Sequence, residues 1–535
     1  MSGILHIQDE TYRSDRNGND LELLPGIVSV HPTWDIDRAG SKGQIEVVAE
    51  SGILEPNMWI TTYRTITPER GAIIRYQRGH WRLSSPGIVY DGAVRIETGT
   101  PSQLQTANGF DIINDLADAG LTETFYTPVG GLVMNDVRVA AKMATSGIMG
   151  PNLLWENGGF ELGGSGWTSW FEGSWVGSRE YTDVHATGRT PIEGNQYLYL
   201  VANPSRPAGA VSFNYCSVGV PQGAQFMYFS GLGRRIGGAS SYMAVEFRDS
   251  ANALISSNVV GYVGTVDQWG RVYRVLPVPA SASYANVFVT ALYEAAGPAW
   301  YEFYLWDDIR VGTCTMMPLP DSRFDLPEST ATATTRIQTA YDKSYGYDAI
   351  NADRLSAIGH FALSTTMTGE LTTMPVRTLA NTQPRYTFRA GDRRLLAAPV
   401  EIPALSGTVY NHFRAIKEDF GDGGTAMIAH AYNTNPNDPH STVVTGVTRS
   451  APPVHVQDAV DQAALQAIAE RERDRQSVRE TIRLTTLPLP DLTIYDVIRI
   501  DDPSMPHANG LWAMNSIDDT DTGMVLTASR AIGGG

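Results

Sequence analysis

The chain begins with short apolar runs set between turn residues. Ile27, Val28 and Val30 form one run, and Ile45, Val47 and Val48 form the next. Ile73 and Ile74 lead to Tyr76, and Ile88 and Val89 lead to Val94 and Ile96. Gly40, Pro56, Gly71, Gly79 and Pro86 punctuate them, so residues 24–100 read as strands of a small barrel or sandwich. Near Asp111 the period changes. Phe110, Ile112, Ile113, Leu116 and Ala117 share one helical face, which predicts a helix over 106–119 with Gly120 at its end. A second short helix is expected over 136–144.

The pattern then changes character. Residues 150–312 hold seven of the eleven tryptophans and no long helical period. Alternation such as Tyr197, Tyr199 and Val201, or Met243, Val245 and Phe247, predicts half-buried strands of an all-β module of jelly-roll size. Residues 313–335, broken by Pro318, Pro320 and Pro327, read as a linker. Beyond it, residues 348–359 suit a helix, GELTTMPV a hairpin, and NTNPNDPHST a flexible loop tip. The clearest helix spans 456–479, with Val460, Leu465 and Ile468 as its apolar stripe and Ala459, Ala463, Ala467 and Glu470 on small or polar faces. Strands follow on both sides of a Pro turn in TIRLTTLPLPDLTIYDVIRID, and again near 511–517 and 524–528. The expected class is mainly β with a few helices: 1–149, a barrel-like part ending in a helical segment; 150–312, the jelly roll; 313–335, the linker; 336–535, an α+β part.

Composition narrows the function. At 535 residues the chain exceeds one ordinary domain. The net charge is −17 and no basic stripe is visible, which excludes a general or sequence-specific nucleic-acid binder. Cys216 and Cys314 are too few for a disulfide scaffold or a structural zinc site, and cytoplasmic synthesis favours free thiols. No basic stretch followed by an apolar one opens the chain, and no apolar run approaches the ~18 residues of a membrane span. Phosphate-loop, zinc-protease and nucleophile-elbow motifs are all missing. The ten histidines are scattered, and GLGRR at Gly231 lacks the third glycine of a dinucleotide loop. The expectation is a protein without catalytic residues.

Two resemblances carry the rest. The module opens with Asn152-Leu153-Leu154, then Asn157-Gly158-Gly159-Phe160-Glu161 and Gly166-Trp167. It closes with Tyr304-Leu305-Trp306-Asp307-Asp308-Ile309-Arg310-Val311. These ends resemble carbohydrate-binding jelly rolls of the family 4/9/22 type. That resemblance implies a structural calcium where first and last strands meet, with Glu161, Asp307 and Asp308 as ligands. Hard carboxylate oxygens suit calcium, but the same acids could serve only to hydrogen-bond the strand ends. Sugar binding in such modules rests on aromatic faces. Trp170, Trp175 and Tyr181 lie in WTSWFEGSWVGSREY, which reads as loop, and they are the candidate carbohydrate contacts, with packing as the plainer role. Trp167 and Trp306 belong to the terminal motifs and read as core.

The flanks resemble the hub proteins at the tail tip of long-tailed phages. Ala451-Pro452-Pro453 leads into DAVDQAALQAIAERERDR, then to a phrase built on Pro490, Leu492, Asp496, Val497 and Ile498, and to closing strands in GLWAMNSIDDTDTGMVLTASRA. The resemblance implies a structural subunit of the virion tail tip, made in the host cytoplasm. It would form a homotrimer ring that closes the tail tube beside the distal tail protein and other tip proteins. The inserted jelly roll would hold host cell-surface glycan. Two rivals stay open: a secreted polysaccharide-degrading enzyme carrying a binding module, and a pure scaffold whose jelly roll binds protein.

Overall fold

The computed structural model describes residues 5–36, 43–68, 72–91, 102–118, 125–127, 131–154, 167–171, 176–180, 196–202, 211–236, 240–264, 268–292, 302–329, 333, 337–339, 354–355, 358, 360–375, 382–395, 400–402, 409–417, 427–436, 438–455, 462–476 and 479–531. The protein is mainly β, with several sheets and few helices. It divides into two compact units: Met1–Ile113 with Ser364–Glu370 and Val376–Gly535, and Asn114–Leu363 with Leu371–Pro375. The second unit is wider than the expected jelly roll on both sides. None of the described helices is long and apolar enough to cross a membrane.

The first unit begins with β1 (Leu5–Ser14), β2 (Asp20–Leu23), β3 (Ile27–Asp35), β4 (Gly43–Glu50), β5 (Trp59–Pro68), β6 (Ile74–Leu83), β7 (Gly87–Asp91) and β8 (Ser102–Phe110). The helix expected over 106–119 is reduced to Ile113–Asp118, because residues up to Phe110 pair with β4. Asp111 marks the change. Its Oδ1 accepts from the Ile113 N–H at 3.1 Å, and its Oδ2 accepts from the Gly43 N–H at 3.1 Å and from the Thr365 hydroxyl at 3.0 Å.

The second unit contains β9 (Phe125–Thr127), the helix Val133–Ala144 and the jelly roll. The jelly roll comprises β10 (Thr168–Phe171), β11 (Val176–Glu180), β12 (Gln196–Ala202), β13 (Val211–Gly219), β14 (Phe226–Ile236), β15 (Ser240–Arg248), β16 (Leu254–Tyr262), β17 (Trp269–Pro277), β18 (Tyr284–Leu292) and β19 (Glu302–Cys314). They make two five-stranded sheets: a front sheet in the order β10-β13-β18-β15-β16 and a back sheet in the order β11-β12-β19-β14-β17. Between them lies one core that includes Met243, Val245, Phe247, Val287, Val289, Trp167 and Trp306. Strict alternation along Ser240–Arg248 puts every second side chain into it. The opening and closing motifs do meet: Asn152 Oδ1 accepts from the Val311 N–H at 2.9 Å, and the Leu153 N–H donates to the Val311 carbonyl at 2.6 Å.

The segment expected to be a linker is packed. Leu319, Arg323 and Leu326 are buried, and the Leu319 N–H donates to Thr145 Oγ1 at 3.2 Å. Lys142 bonds Asp321, and β20 (Phe324–Asp325) pairs with a strand. Prolines here stop the strand of β19 without freeing the chain, because apolar residues between them have a core to enter. β21 (Ile337–Thr339) pairs with β9. Most of 348–359, the site of an expected helix, lies outside the described residues.

The chain continues with β22 (Ser364–Thr365), β23 (Leu371–Thr372, the partner of β20), β24 (Tyr386–Arg389), β25 (His412–Lys417), β26 (Met427–Tyr432), β27 (Val454–His455), β28 (Arg479–Thr486), β29 (Val497–Asp501), β30 (Gly510–Asp519) and β31 (Met524–Ala531). Within the first unit the two ends of the chain share one branched thirteen-stranded sheet, joined where β3 pairs with β30. Three buried charges and the half-buried Asp9 stitch the same seam. Arg64 and Arg78 each bond both Asp9 and Asp519, at 2.5–2.8 Å. The helix Gln462–Gln476 lies on the β26-β25 hairpin through Leu465 and Ala469 against Ala415, Ala429 and Ala431, with Ile468 half-buried beside them. Val460 and Ala459 lie outside the described residues. The described residues of the NTNPNDPHST stretch are packed, since Asn433, Asp438 and Ser441 are buried and Asn433 Nδ2 donates to Asp438 Oδ2 at 2.6 Å.

Candidate functional site

The two sheets of the jelly roll differ on their outer faces. The back sheet is covered over β14, β17 and β19. Tyr228, Ser230, Arg271, Tyr273, Asp308 and Arg310 point away from the jelly-roll core, yet all are buried. The cover is the helix Val133–Ala144 and the chain after it. Asn135 Nδ2 donates to the Arg271 carbonyl at 3.5 Å, and Ser146 Oγ meets Tyr273 Oη at 2.8 Å.

The front sheet presents aromatic rings on its outer face. With Cys216, Val218, Met243, Val245, Val287 and Val289 in the core, the strand period turns Phe213, Tyr215, Tyr242 and Phe288 outward. Register then aligns them. Tyr215 stands opposite Phe288, Phe213 opposite Thr290, Thr290 opposite Tyr242, and Tyr242 opposite Tyr262. Phe213, Tyr215 and Phe288 form one cluster with centroids 5.3–6.3 Å apart, and Tyr242 and Tyr262 form a second at 5.4 Å. Tyr262 is 60% exposed and Tyr284, at the end of β18, is 44% exposed.

A polar row runs beside the rings. Ser217, Asn286, Glu246 and Ser257 are successive register partners across four strands. Ser217 Oγ donates to Asn286 Oδ1 at 2.7 Å, and Arg248 donates to Glu246 Oε2 at 2.6 Å. The face therefore carries aromatic rings, hydroxyls, a carboxamide and a closed ion pair. It can stack on an apolar ring face while offering donors and acceptors at the ring's edge.

The sequence-predicted sugar contacts fall partly here. WTSWFEGSWVGSREY is not one loop, since Thr168–Phe171 and Val176–Glu180 are strands. Trp170 lies on edge strand β10 in register with Phe213. Trp175 and Tyr181 lie outside the described residues. Trp167 and Trp306 are buried core, as their motifs suggested. The front-face rings were missed because they come from four strands, and only cross-strand register unites them. Alternation in SFNYCS and SYMAVEF was the available signal.

Of the three predicted metal ligands, Glu161 lies outside the described residues. Asp307 is fully buried and its Oδ1 accepts from the Asp308 N–H at 2.7 Å. Asp308 is committed elsewhere: Oδ2 accepts from Arg271 at 2.6 Å and Oδ1 from Arg310 at 2.5 Å. Burial pushes its carboxyl up, but Arg310 and Arg271 outweigh that and hold it below the usual range. Two guanidinium groups already neutralise this carboxylate, so Asp308 does not fit a calcium ligand. The geometry has a backbone cause. Asp308 and Ile309 oppose the single residue Gly231, a bulge with Asp308 at φ +46°. The bulge keeps Trp306 inside, turns Ile309 and Val311 inside as well, and swings Asp308 to the outer side beside Arg271. Among the described residues no group of three or more His, Cys, Asp or Glu is placed to hold a metal ion.

No family model and no curated protein matches the chain. Among solved structures it is similar to a tail protein from Neisseria meningitidis MC58, at 8% identity over 98% of this chain and 96% of that one, with a TM-score of 0.42. It is also similar to the C-terminal family 22 carbohydrate-binding module of Clostridium thermocellum Xyn10B, at 16% identity over 30% of this chain and 94% of that one, with a TM-score of 0.23. A third likeness is to the enzymatically active domain of tailspike protein 4 of bacteriophage CBA120, at 12% identity and a TM-score of 0.23. It covers 30% of this chain and only 21% of the tailspike.

Proposed function

We propose that this chain is a structural subunit of a phage tail whose jelly roll holds host cell-surface glycan on the outer face of its front sheet. The observation that carries the glycan reading is the asymmetry of the two outer faces. The back one is buried along β14, β17 and β19 by the helix Val133–Ala144 and the chain after it, while the front one carries five aligned rings beside the row Ser217, Asn286 and Glu246. A pyranose stacks its C–H face on tyrosine or phenylalanine and bonds its hydroxyls to the polar row. An open platform buries little of each sugar, so single-site affinity is weak and several copies on one particle raise it by effective concentration.

The tail assignment rests on the resemblance of the flanking sequences to tail-tip hub proteins. In this reading the subunit sits at the tail tip as a homotrimer ring closing the tube, next to the distal tail protein. It acts by binding and assembly, not by catalysis. A calcium ion at the strand ends would draw its carboxylates from Glu161 and Asp307, since Asp308 is held by its arginines.

The test uses the full chain on a glycan array and on host cells. Binding that is lost in Tyr242→Ala and Tyr262→Ala, with an unchanged melt, supports the platform. Equal binding by these variants removes it. A virion reconstruction with one or six copies at the tip, or none, overturns the assembly.

A further inference from the structure

The hairpin β25–β26 shows one face to the helix Gln462–Gln476 and turns the other away. Phe413, Ala415, Ala429 and Ala431 are buried, and the three alanines pack against Leu465 and Ala469 of that helix. Strand period then puts His412, Arg414 and Ile416 on the outer face of β25, and Ile428, His430 and Tyr432 beside them on β26. Register pairs His412 with Tyr432 and Arg414 with His430, so two basic side chains stand directly opposite each other. Ile428 and Tyr432, two residues to either side of His430, are both exposed.

Among the described residues the half-buried Arg414 guanidinium has no ion-pair partner, and its buried Nε has no hydrogen-bond acceptor. The one carboxylate in the described residues 409–417 and 427–455 is Asp438, which is buried and accepts from Asn433 Nδ2 and the His440 N–H. Glu418, Asp419 and Asp422 lie outside the described residues. In a chain of net charge −17, this face is a cationic patch without a counter-charge among its described neighbours. The histidines extend it. His412 Nε2 and His430 Nδ1 are 2.9 Å apart, His412 Nδ1 lies 2.7 Å from Ser450 Oγ, and His412 stacks on Tyr432 at 4.4 Å. When the Ser450 hydroxyl donates to His412 and His412 donates to His430, the proton of His430 sits on Nε2. That nitrogen is then a donor while both rings stay neutral.

We infer that the outer face of this hairpin is a binding site for a phosphate monoester, held by the Arg414 guanidinium and by the Nε2–H of His430. The unpaired cation selects an anion. Donor count then selects phosphate. The planar fork of an arginine fills both oxygens of a carboxylate, whereas a phosphate monoester has a third terminal oxygen for the imidazole on the neighbouring strand. His412 and Ser450 do not touch the ligand in this arrangement; they fix which nitrogen of His430 carries the proton. The exposed side chains of Ile428 and Tyr432 flank His430 on the same face and offer apolar surface to the organic part of the ester. A glycerol phosphate in solution and the headgroup of a phosphatidic acid share this chemistry.

The test titrates the full chain into glycerol phosphate and follows line broadening by phosphorus NMR, beside flotation with vesicles of phosphatidylcholine with and without phosphatidic acid. Arg414→Gln should weaken binding about 10-fold, the worth of a charge-assisted contact, and His430→Phe, which keeps a flat ring but no donor, about 5-fold. Arg414→Lys keeps the charge without the fork; it should also bind more weakly than the wild type and stands in should Arg414→Gln fail to fold. Arg389→Gln removes an exposed arginine of β24, 3.8 Å from Asp501, and should bind as the wild type does. Broadening of glycerol phosphate that is lost in Arg414→Gln supports the site and places its ligand in solution. Flotation with phosphatidic acid alone, lost in the same variant, supports the site and places the phosphate on a lipid. Binding of neither probe, an equal loss in Arg389→Gln, or displacement by acetate as readily as by inorganic phosphate overturns it.

Discussion

Tyr215 and Phe288 face each other across neighbouring strands of the front sheet, ring centroids 5.3 Å apart and 27° from parallel. Two strands further along, Tyr242 and Tyr262 lie 5.4 Å apart, tilted by 49°. Strands are spaced about 4.8 Å apart, so β13 and β15 are separated by ~10 Å. Rings at that interval suit a polymer lying across the strands more than a single sugar.

Removing one exposed ring should therefore weaken binding without weakening the fold. Tyr262→Ala should cost about 10-fold in glycan or cell binding, the worth of one stacking contact, with a stability change within ~0.5 kcal/mol. Phe288→Ala, half-buried between Phe213 and Tyr215, should lose both binding and some stability. A melt alongside a binding isotherm for each variant checks the pair. Equal stability losses in both would mean that Tyr262 packs like Phe288.

Both thiols should be silent in the native protein. Cys216 lies in the jelly-roll core, where burial pushes its thiol up to about 12, and burial pushes Cys314 up to about 11. The thiolate is the reactive form, so alkylation at pH 8 should be slow for both and become complete on unfolding. Cys216 is on the front sheet and Cys314 on the back one, and both are free. Intact mass after alkylation without reductant should show no native adduct and two after denaturation.

Much of this was legible along the chain. Alternation located the strands around Met243–Phe247 and Val497–Ile517, and the end motifs marked the jelly roll because Asn152 and Val311 touch. What failed was whatever depends on a distant partner. Prolines at 318, 320 and 327 looked like a linker because the pocket for Leu319, near Thr145, lies far back in sequence. Phe110 looked helical because its spacing to Ile113 suits a helix, but pairing with Gln44 keeps it extended. Asp308 looked like a metal ligand because a DD pair shows its charge and hides both the bulge and Arg271, thirty-seven residues upstream.

The seam between the two ends of the chain gives a sharper test of the first unit. Arg64 and Arg78 are fully buried, and both rely on Asp9 and Asp519. Asp519→Ala leaves two buried cations with one carboxylate, which should cost about 3–5 kcal/mol. Asp9→Ala should do nearly as much. The double variant should fall short of the sum, because the same arginines are unpaired in each. Chemical denaturation of the four proteins measures the coupling. Strict additivity would mean that the two acids act independently.

Asp308 decides between an ion triad and a calcium site. As a triad member its carboxylate neutralises Arg271 and Arg310, and Asp308→Asn should destabilise the second unit by about 3 kcal/mol or more, because two buried cations lose their partner. Its depressed carboxyl makes the sign of the pH dependence definite. The stabilisation is fully present above the unfolded value of about 3.9 and is lost as pH falls through the lower folded value, so the triad matters at neutral pH and fades only in strong acid. A chelator should not imitate this variant, since nothing in the triad is a metal. Glu161→Ala and Asp307→Ala separate the other possibility. If calcium ties the strand ends through those two acids, a chelator lowers the melting temperature of the wild type, calcium restores it by mass action, and both variants lose that response. Asp308→Asn, by contrast, should keep its calcium response intact from a lower starting point. A wild type indifferent to both chelator and calcium leaves the triad as the charge chemistry of this strand. An Asp308→Asn protein with unchanged stability and no calcium response would return Asp308 to the metal.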